Sequence, residues 1–93
     1  MTRSELIALV ANDADVSVKD AEKIIRIFTE KITESVSNGE KITLSGFGTF
    51  EKRRRKATFA RNPKTGETMP IAEQNVATFR AGTALKQAVK SID

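Results

Sequence analysis

Apolar residues in the first 39 positions of the chain recur every three or four residues, the spacing that places side chains on one face of a helix. Thr2-Arg3-Ser4-Glu5 is a capping box, in which the first residue is the predicted N-cap and the fourth lies at position N3. The cluster Asn12–Asp15 favours a turn, and Ser17 is the predicted cap of a second helix that ends before Gly39. The pattern therefore predicts a helical hairpin with one apolar face.

After Gly39 the apolar period changes to two, which is typical of strands. Ile42 and Leu44 alternate with polar residues, Gly46-Phe47-Gly48 predicts a tight turn, and a strand is expected over residues 49–58. The polarity pattern thus indicates that the chain leaves its helical part and enters a sheet.

A return strand is expected over about residues 67–72 and 75–80. Pro70 lies within it and restricts that segment to a sheet edge or a bulge, because proline cannot donate to a ladder. Ala81-Gly82-Thr83 is expected to begin a last helix. The predicted element order is α-α-β-β-β-α, an α+β fold formed as one domain over residues 1–93.

Positive charge is concentrated between the predicted strands. Residues 52–66 hold seven Lys/Arg and no acid, and they end in Asn62-Pro63-Lys64-Thr65-Gly66, a strong turn signal. Across the chain, residues 1–50 carry six basic and eight acidic residues (net −2), whereas residues 51–93 carry ten and four (net +6). A solvated surface is the ordinary explanation of a charge run, but this asymmetry on a hairpin favours binding of a polyanion such as nucleic acid.

Other functions are disfavoured by composition. The chain has no Cys and no His, which removes thiolate ligands, disulfides and the commonest general base. The acids near Asp13 and Asp15 have no calcium-loop spacing and lie where a turn and caps already need them. We therefore expect no enzyme, metal, cofactor or small-molecule substrate, and the absence of a signal peptide or a membrane-length apolar run predicts a cytoplasmic protein.

The apolar residues are too many for so small a core. If residues 52–75 contribute little, roughly 70 residues remain, a size at which monomers are marginal. A three-stranded sheet with short helices would leave one apolar face exposed, and pairing of two copies would bury it. We expect this dimer core to contain Phe28, Ile42, Leu44, Phe47, Phe50 and Phe79.

Three motifs closely resemble the bacterial HU/IHF histone-like proteins. They are Gly46-Phe47-Gly48-Thr49-Phe50, then Arg61-Asn62-Pro63-Lys64-Thr65-Gly66, and finally Thr78-Phe79-Arg80-Ala81-Gly82 with Ala84-Leu85-Lys86. The resemblance covers essentially the whole chain. It implies an intertwined dimer with a helical base, a body formed by residues 1–51 and 76–93, and a two-stranded β-ribbon arm over residues 52–75 that embraces double-stranded DNA.

By this resemblance, the arms enter the minor groove and Pro63 wedges between base pairs, whereas local sequence alone makes Pro63 an ordinary turn proline. Minor-groove wedging is known from HU and IHF themselves. It is therefore part of what the resemblance implies and not a separate argument for it. The residues expected to contact DNA from the arm are Lys52, Arg53, Arg54, Arg55, Lys56, Arg61, Asn62, Pro63 and Lys64. Those expected to do so from the body are Arg3, Gly46, Gly48, Arg80, Gly82, Thr83 and Lys86. Gly46 and Gly48 either only supply turn dihedrals or also face a phosphate with their amides, and the helix that Gly82 opens has N-terminal amides that suit a phosphate.

The favoured hypothesis is a dimeric, sequence-tolerant DNA-bending protein of HU type that compacts the bacterial chromosome in the nucleoid. The alternatives are an IHF-like bender that prefers particular sequences, an RNA- or ribosome-binding basic protein, and a self-associating scaffold. A homodimer is favoured over a heterodimer with a paralogue. Phe59 has two open interpretations: it covers the base of the ribbon, or it touches sugar edges in the groove.

Overall fold

A computed structural model describes residues 1–91 of the chain. The last two residues of the predicted body, 92 and 93, lie outside the described residues. The elements are α1 (Arg3–Ala14), α2 (Val18–Ser37), β1 (Ile42–Leu44), β2 (Gly48–Arg55), β3 (Thr58–Arg61), β4 (Thr68–Ile71), β5 (Gln74–Ala81) and α3 (Thr83–Lys90).

Side-chain caps set the beginnings of the first two helices. The Thr2 hydroxyl accepts a hydrogen bond from the Glu5 amide at 3.2 Å, and the Ser17 hydroxyl accepts one from the Asp20 amide at 3.0 Å. Helix α1 ends at Asp15, whose left-handed backbone (φ 56°) lets its amide bond the carbonyls of the preceding turn. The capping predicted from the sequence is thus confirmed at both helices.

The chain divides into two compact units, Met1–Glu34 and the part from Ser35 onward. In the first unit, Ile7 and Ala11 of α1 pack with Ala21 of α2, each at most 3% exposed, and Ile25 packs against them. Much of the predicted apolar face lies outside this small core. Its exposed members include Leu6, Leu9, Val10, Ile24 and Phe28.

The second unit contains an antiparallel sheet in the order β1-β2-β5. Its central ladder pairs all eight residues of β2 with β5, from Gly48 opposite Ala81 to Arg55 opposite Gln74. Because directly paired residues project from the same side of a sheet, this register determines which side chains share a face.

One face of this sheet is apolar near β1 and basic farther along β2. Ile42 pairs with Phe50, and Phe50 pairs with Phe79. The Phe79 ring lies 4.9 Å from the Phe50 ring and 5.6 Å from the Phe47 ring, measured between centroids. Despite these contacts, Phe47 and Phe79 are 48% and 42% exposed, so the single chain leaves this aromatic group partly uncovered.

Strands β3 and β4 form a separate two-stranded sheet, with Phe59 opposite Pro70. The prediction of one continuous strand over residues 49–58 is wrong, because β2 ends at Arg55 and a separate strand, β3, begins at Thr58. The return segment is interrupted at the same level, between β4 and β5, as the sequence predicted. The α+β fold and its order of helices and strands are confirmed, with five strands because two predicted strands are each divided.

The Gly46–Gly48 turn and the start of α3 are in close contact. The Gly82 amide donates to the Phe47 carbonyl at 2.7 Å, and the Leu85 amide donates to the Gly46 carbonyl at 3.1 Å. A Cβ at Gly82 would lie 2.7 Å from the Gly46 carbonyl group, so a side chain there is excluded. This contact secures the first turn of α3 against the end of β1 and the beginning of β2.

Candidate nucleic-acid interface

The basic run begins inside the β2–β5 ladder, where strand alternation separates its side chains. Arg53 and Arg55 project on one face, and Lys52 and Arg54 on the other. Lys56 follows the end of β2 and is not part of this alternation. The predicted boundary between body and arm, at residues 51/52, therefore falls inside a continuous strand. The division into body and arm remains a prediction.

Two acids that the sequence prediction had not considered hold three of the arginines. Glu51 accepts a hydrogen bond from Arg53 Nε at 3.0 Å and forms an ion pair with Arg80 Nε at 3.1 Å, and its side chain is only 15% exposed. Arg54 binds Glu73 with both Nε and Nη2, at 2.7 and 2.9 Å. The sequence signal for Glu51 was its position two residues before Arg53, which places both on one strand face.

These ion pairs hold the guanidinium groups in place without burying them. The side chains of Arg53, Arg54 and Arg80 are 57%, 73% and 55% exposed. The Arg54–Glu73 pair is exposed on both sides and contributes only about 0–1 kcal/mol to stability, so a phosphate can displace Glu73 at modest cost. We infer that Glu51 keeps two arginines ordered beside each other on the sheet.

Other cations of the predicted site have no ion pair or side-chain hydrogen bond among the described residues. On the arm these are Arg55, Lys56, Arg61 and Lys64, and on α3 the corresponding residue is Lys86. Lys52 differs, because its ammonium group donates to the Ser37 carbonyl at 3.1 Å. The arm thus presents four side chains whose charges no acid in the described chain compensates.

The turn that joins β3 to β4 is held by its own hydrogen bonds. The Asn62 side-chain oxygen accepts from the Lys64 amide at 2.9 Å, and the Asn62 carbonyl accepts from the Gly66 amide at 2.8 Å. Gly66 has a φ of 74°, as the turn signal predicted. Pro63 is exposed between these bonds, so the tip presents an apolar ring without a backbone donor.

The glycines predicted to face phosphates occupy different environments. Gly48 is buried, and a Cβ there would collide with the Phe79 ring and lie 2.9 Å from the Arg80 carbonyl oxygen, so the expectation of an exposed amide is wrong at this position. Gly46 is exposed with a φ of 79°. The Gly82 amide is already bound to the Phe47 carbonyl, which leaves Thr83 as the exposed residue at the start of α3.

The predicted body residues are divided between the two compact units. Arg3 belongs to the first compact unit, where its Nη2 lies 3.4 Å from Glu22 Oε1, whereas the turn glycines, Arg80, Thr83 and Lys86 belong to the second unit. Phe59 was left open by the sequence. It is 72% exposed on β3, and both interpretations of its role stay predictions.

Neither a metal site nor a membrane span is found among residues 1–91. The described part of the chain contains no group of three or more acids, His or Cys close enough to hold an ion, and none of its helices is long and apolar enough to cross a membrane. The site is therefore defined by cations, a rigid apolar tip and an exposed aromatic ring.

Comparison with known proteins identifies the class. The family model described as bacterial DNA-binding protein matches residues 1–90. The chain is 50% identical over 88 residues to DNA-binding protein HU of Lactococcus lactis, covering 95% of this chain and 97% of the relative. It is 38% identical over 91 residues to integration host factor subunit alpha of Sodalis glossinidius, covering 98% and 93%.

Solved structures agree with this assignment. The chain matches that of an Anabaena HU–DNA cocrystal with a TM-score of 0.88 and 45% identity, over 96% of this chain and 97% of the other. It also matches HU from Thermotoga maritima with a TM-score of 0.68 and 32% identity, over 96% and 98%. The chain belongs to the HU/IHF family of bacterial DNA-binding proteins. This confirms the resemblance found in the sequence and the prediction that the chain is not an enzyme.

The Glu51 ion pairs give a testable prediction about polyanion binding. Glu51→Gln removes the carboxylate that holds two arginines, whereas Glu67→Gln removes the same charge from an exposed ribbon residue without an ion pair in the described chain. We expect Glu51→Gln to elute from immobilised heparin at higher salt than Glu67→Gln, because it releases two cations. Equal elution of the two variants would contradict a masking role for Glu51.

Proposed function

We propose that this chain is an architectural protein that binds double-stranded DNA with little sequence preference through the minor groove and bends it. One observation carries the proposal: four uncompensated cations lie on a β-ribbon arm whose tip is an exposed, internally hydrogen-bonded proline turn. The family assignment supports DNA as the polyanion. The matched Anabaena HU was crystallised together with DNA, which supports a binding mode of the same kind.

Affinity is expected to come mainly from phosphate neutralisation. Each phosphate contacted by Lys or Arg releases condensed counterions, a gain that does not depend on base sequence. Arg55, Lys56, Arg61 and Lys64 are the first candidates, because binding DNA would break no ion pair within the described chain. Arg53, Arg54 and Arg80 would exchange a carboxylate for a phosphate and add less to the net affinity.

Bending is expected to come from Pro63. To enter a base stack, a wedge has to be apolar, rigid and free of backbone donors that would lose their water. Pro63 has no amide, and the amides of Asn62, Lys64 and Gly66 bond within the turn. The cost of unstacking a base step is offset by further contacts that a bent duplex makes with the protein.

The functional unit is expected to be a dimer. Gly48 is the one buried residue among positions 35–91, and large apolar side chains of the sheet and helices are exposed. A unit of this size without a core is not stable alone, and pairing with a second copy would cover Phe28, Phe47 and Phe79. We favour a homodimer, located with DNA in the nucleoid of the cytoplasm; a heterodimer with a paralogue is the alternative.

An HU-like function is favoured over an IHF-like one. HU proteins from Lactococcus lactis and Geobacillus stearothermophilus are 50% and 47% identical to this chain, against 38% for the integration host factor subunit of Sodalis glossinidius. A competition experiment separates the two functions. An HU-like protein binds random duplexes about equally, whereas an IHF-like protein selects particular duplexes from the mixture.

The electrostatic mechanism is tested by the salt dependence of duplex binding. If four arm cations of each chain in a dimer contact phosphates, log K against log salt has a slope of roughly −5 to −9. Arg55→Ala should weaken binding to all sequences and flatten the slope by about two per dimer, because one contact is lost on each arm. Lys23→Ala, which removes the same charge from α2, is the control. A slope near zero would exclude phosphate-led binding.

The wedge is tested by separating bending from binding. Pro63→Ala removes no charge, so most of the affinity for intact duplex should remain, while DNA bending decreases, measured by energy transfer between the duplex ends. Pro70→Ala, the other proline of the chain, lies in β4 away from the tip and should bend DNA normally. If Pro63→Ala bends DNA as well as the parent protein, Pro63 is only a turn residue.

The dimer is tested by sedimentation and by unfolding at several protein concentrations. Phe79→Ala should cost about 3–5 kcal/mol and reduce the dimer content, because the ring, 42% exposed in the single chain, would be fully covered in the dimer. Phe59→Ala makes the same truncation at a 72% exposed position and should change stability by about 0.5 kcal/mol or less. A stable folded monomer at micromolar concentration would contradict the dimer. An unfolded chain that folds only with a paralogue would favour the heterodimer.

A further inference from the structure

Phe59 is an aromatic residue without a packing role in the described chain. It lies in β3, is 72% exposed, and makes no ring contact with the other phenylalanines among residues 1–91. Its partner in the ladder is Pro70, which is also exposed. Phe59 and Pro70 thus form a small apolar spot on one face of the ribbon, while Ala60 and Met69 project from the other face.

The surroundings of this spot are cationic. Arg61 follows Phe59 by two residues, so the two side chains share a face and are separated by roughly 7 Å along the strand. Residues 52–66 contain seven basic residues and no acid. An apolar ring beside uncompensated cations complements a ligand that combines negative charge with flat apolar surfaces, and a nucleotide has both.

We propose that Phe59 stacks on nucleotide bases that are exposed where a duplex is interrupted by a gap. The inference rests on the proposed DNA-binding function and adds a second apolar contact to the arm. In an intact duplex the base faces are covered by their neighbours, so the ring finds no partner of this kind. At a gap, unpaired bases present free faces, and an aromatic side chain stacks on them with little dependence on sequence.

This contact differs physically from the action of Pro63. A wedge has to separate stacked bases, and its effect is therefore to bend the duplex. Stacking by Phe59 uses faces that are already open, so its effect is selective affinity for gapped DNA without added bending. It involves no phosphate, so its loss leaves the salt dependence of binding unchanged.

The test measures competition binding to an intact duplex and to the same duplex with a gap of a few nucleotides, at fixed salt. Phe59→Ala should lose affinity for the gapped duplex by about 5- to 100-fold, the usual range for one base–aromatic stack, and keep its affinity for intact duplex. Phe59→Trp should restore the preference. Phe59→Leu should not, because it keeps apolar volume but lacks a planar ring.

Met69→Ala is the matched control. Met69 is a large apolar residue on the opposite face of the same ribbon, 48% exposed, and its truncation should leave both affinities unchanged. Circular dichroism and sedimentation establish that each variant keeps the fold and assembly state of the parent. The slope of log K against log salt should be the same for Phe59→Ala and the parent protein.

Several results would overturn the proposal. Equal affinity of Phe59→Ala and the parent for gapped duplex excludes the contact, and an equal loss on both duplexes indicates packing against sugars instead of base stacking. A change in sedimentation caused by Phe59→Ala indicates contact between copies of the chain. If the parent protein binds neither duplex, the proposed function itself fails, a result distinct from loss of the gap preference alone.

Discussion

The ladder between β2 and β5 is the interaction on which the rest of the second unit depends. Its eight residue pairs run without a break from the apolar end of the sheet, at Gly48 and Ala81, to the basic end, at Arg55 and Gln74. Because side chains alternate between faces, a shift of one residue would move Phe50 to the polar face and reverse every arginine. The same register therefore decides both which surface is available for a partner chain and which cations are presented together.

The ladder also determines how the positive charge is distributed. It places Glu51 on the same face as Arg53 and Arg80, and Glu73, in the short connection between β4 and β5, pairs with Arg54. Three arginines are consequently held by carboxylates, while Arg55, Lys56, Arg61 and Lys64 are not. The cations without an ion pair thus extend to the turn that carries the exposed Pro63, where Glu67 forms no ion pair with them in the described chain.

The second constraint on this chain is the apolar surface that a single copy leaves exposed. Ile7, Ala11 and Ala21 form the only cluster of buried side chains among residues 1–91, and the aromatic group around Phe79 remains partly exposed. Pairing of two chains would satisfy this surface, and it would also provide two arms and therefore two tips for one duplex. The proposed assembly and the proposed bending would in this sense have one origin, a core too small for one chain.

Local sequence determined the elements of this protein. The caps at Thr2 and Ser17, the change of period after Gly39 and the turn at Asn62–Gly66 were all predictable, because each depends on residues within one turn or one strand. Tertiary structure alone decided that Arg54 pairs with Glu73 and Arg80 with Glu51, that Gly48 is buried against Phe79, and that the Gly82 amide is already bonded. These features depend on contacts between residues distant in the chain. The alternation of side chains along a strand predicts which face a residue occupies, but it does not predict which residue of the neighbouring strand lies beside it.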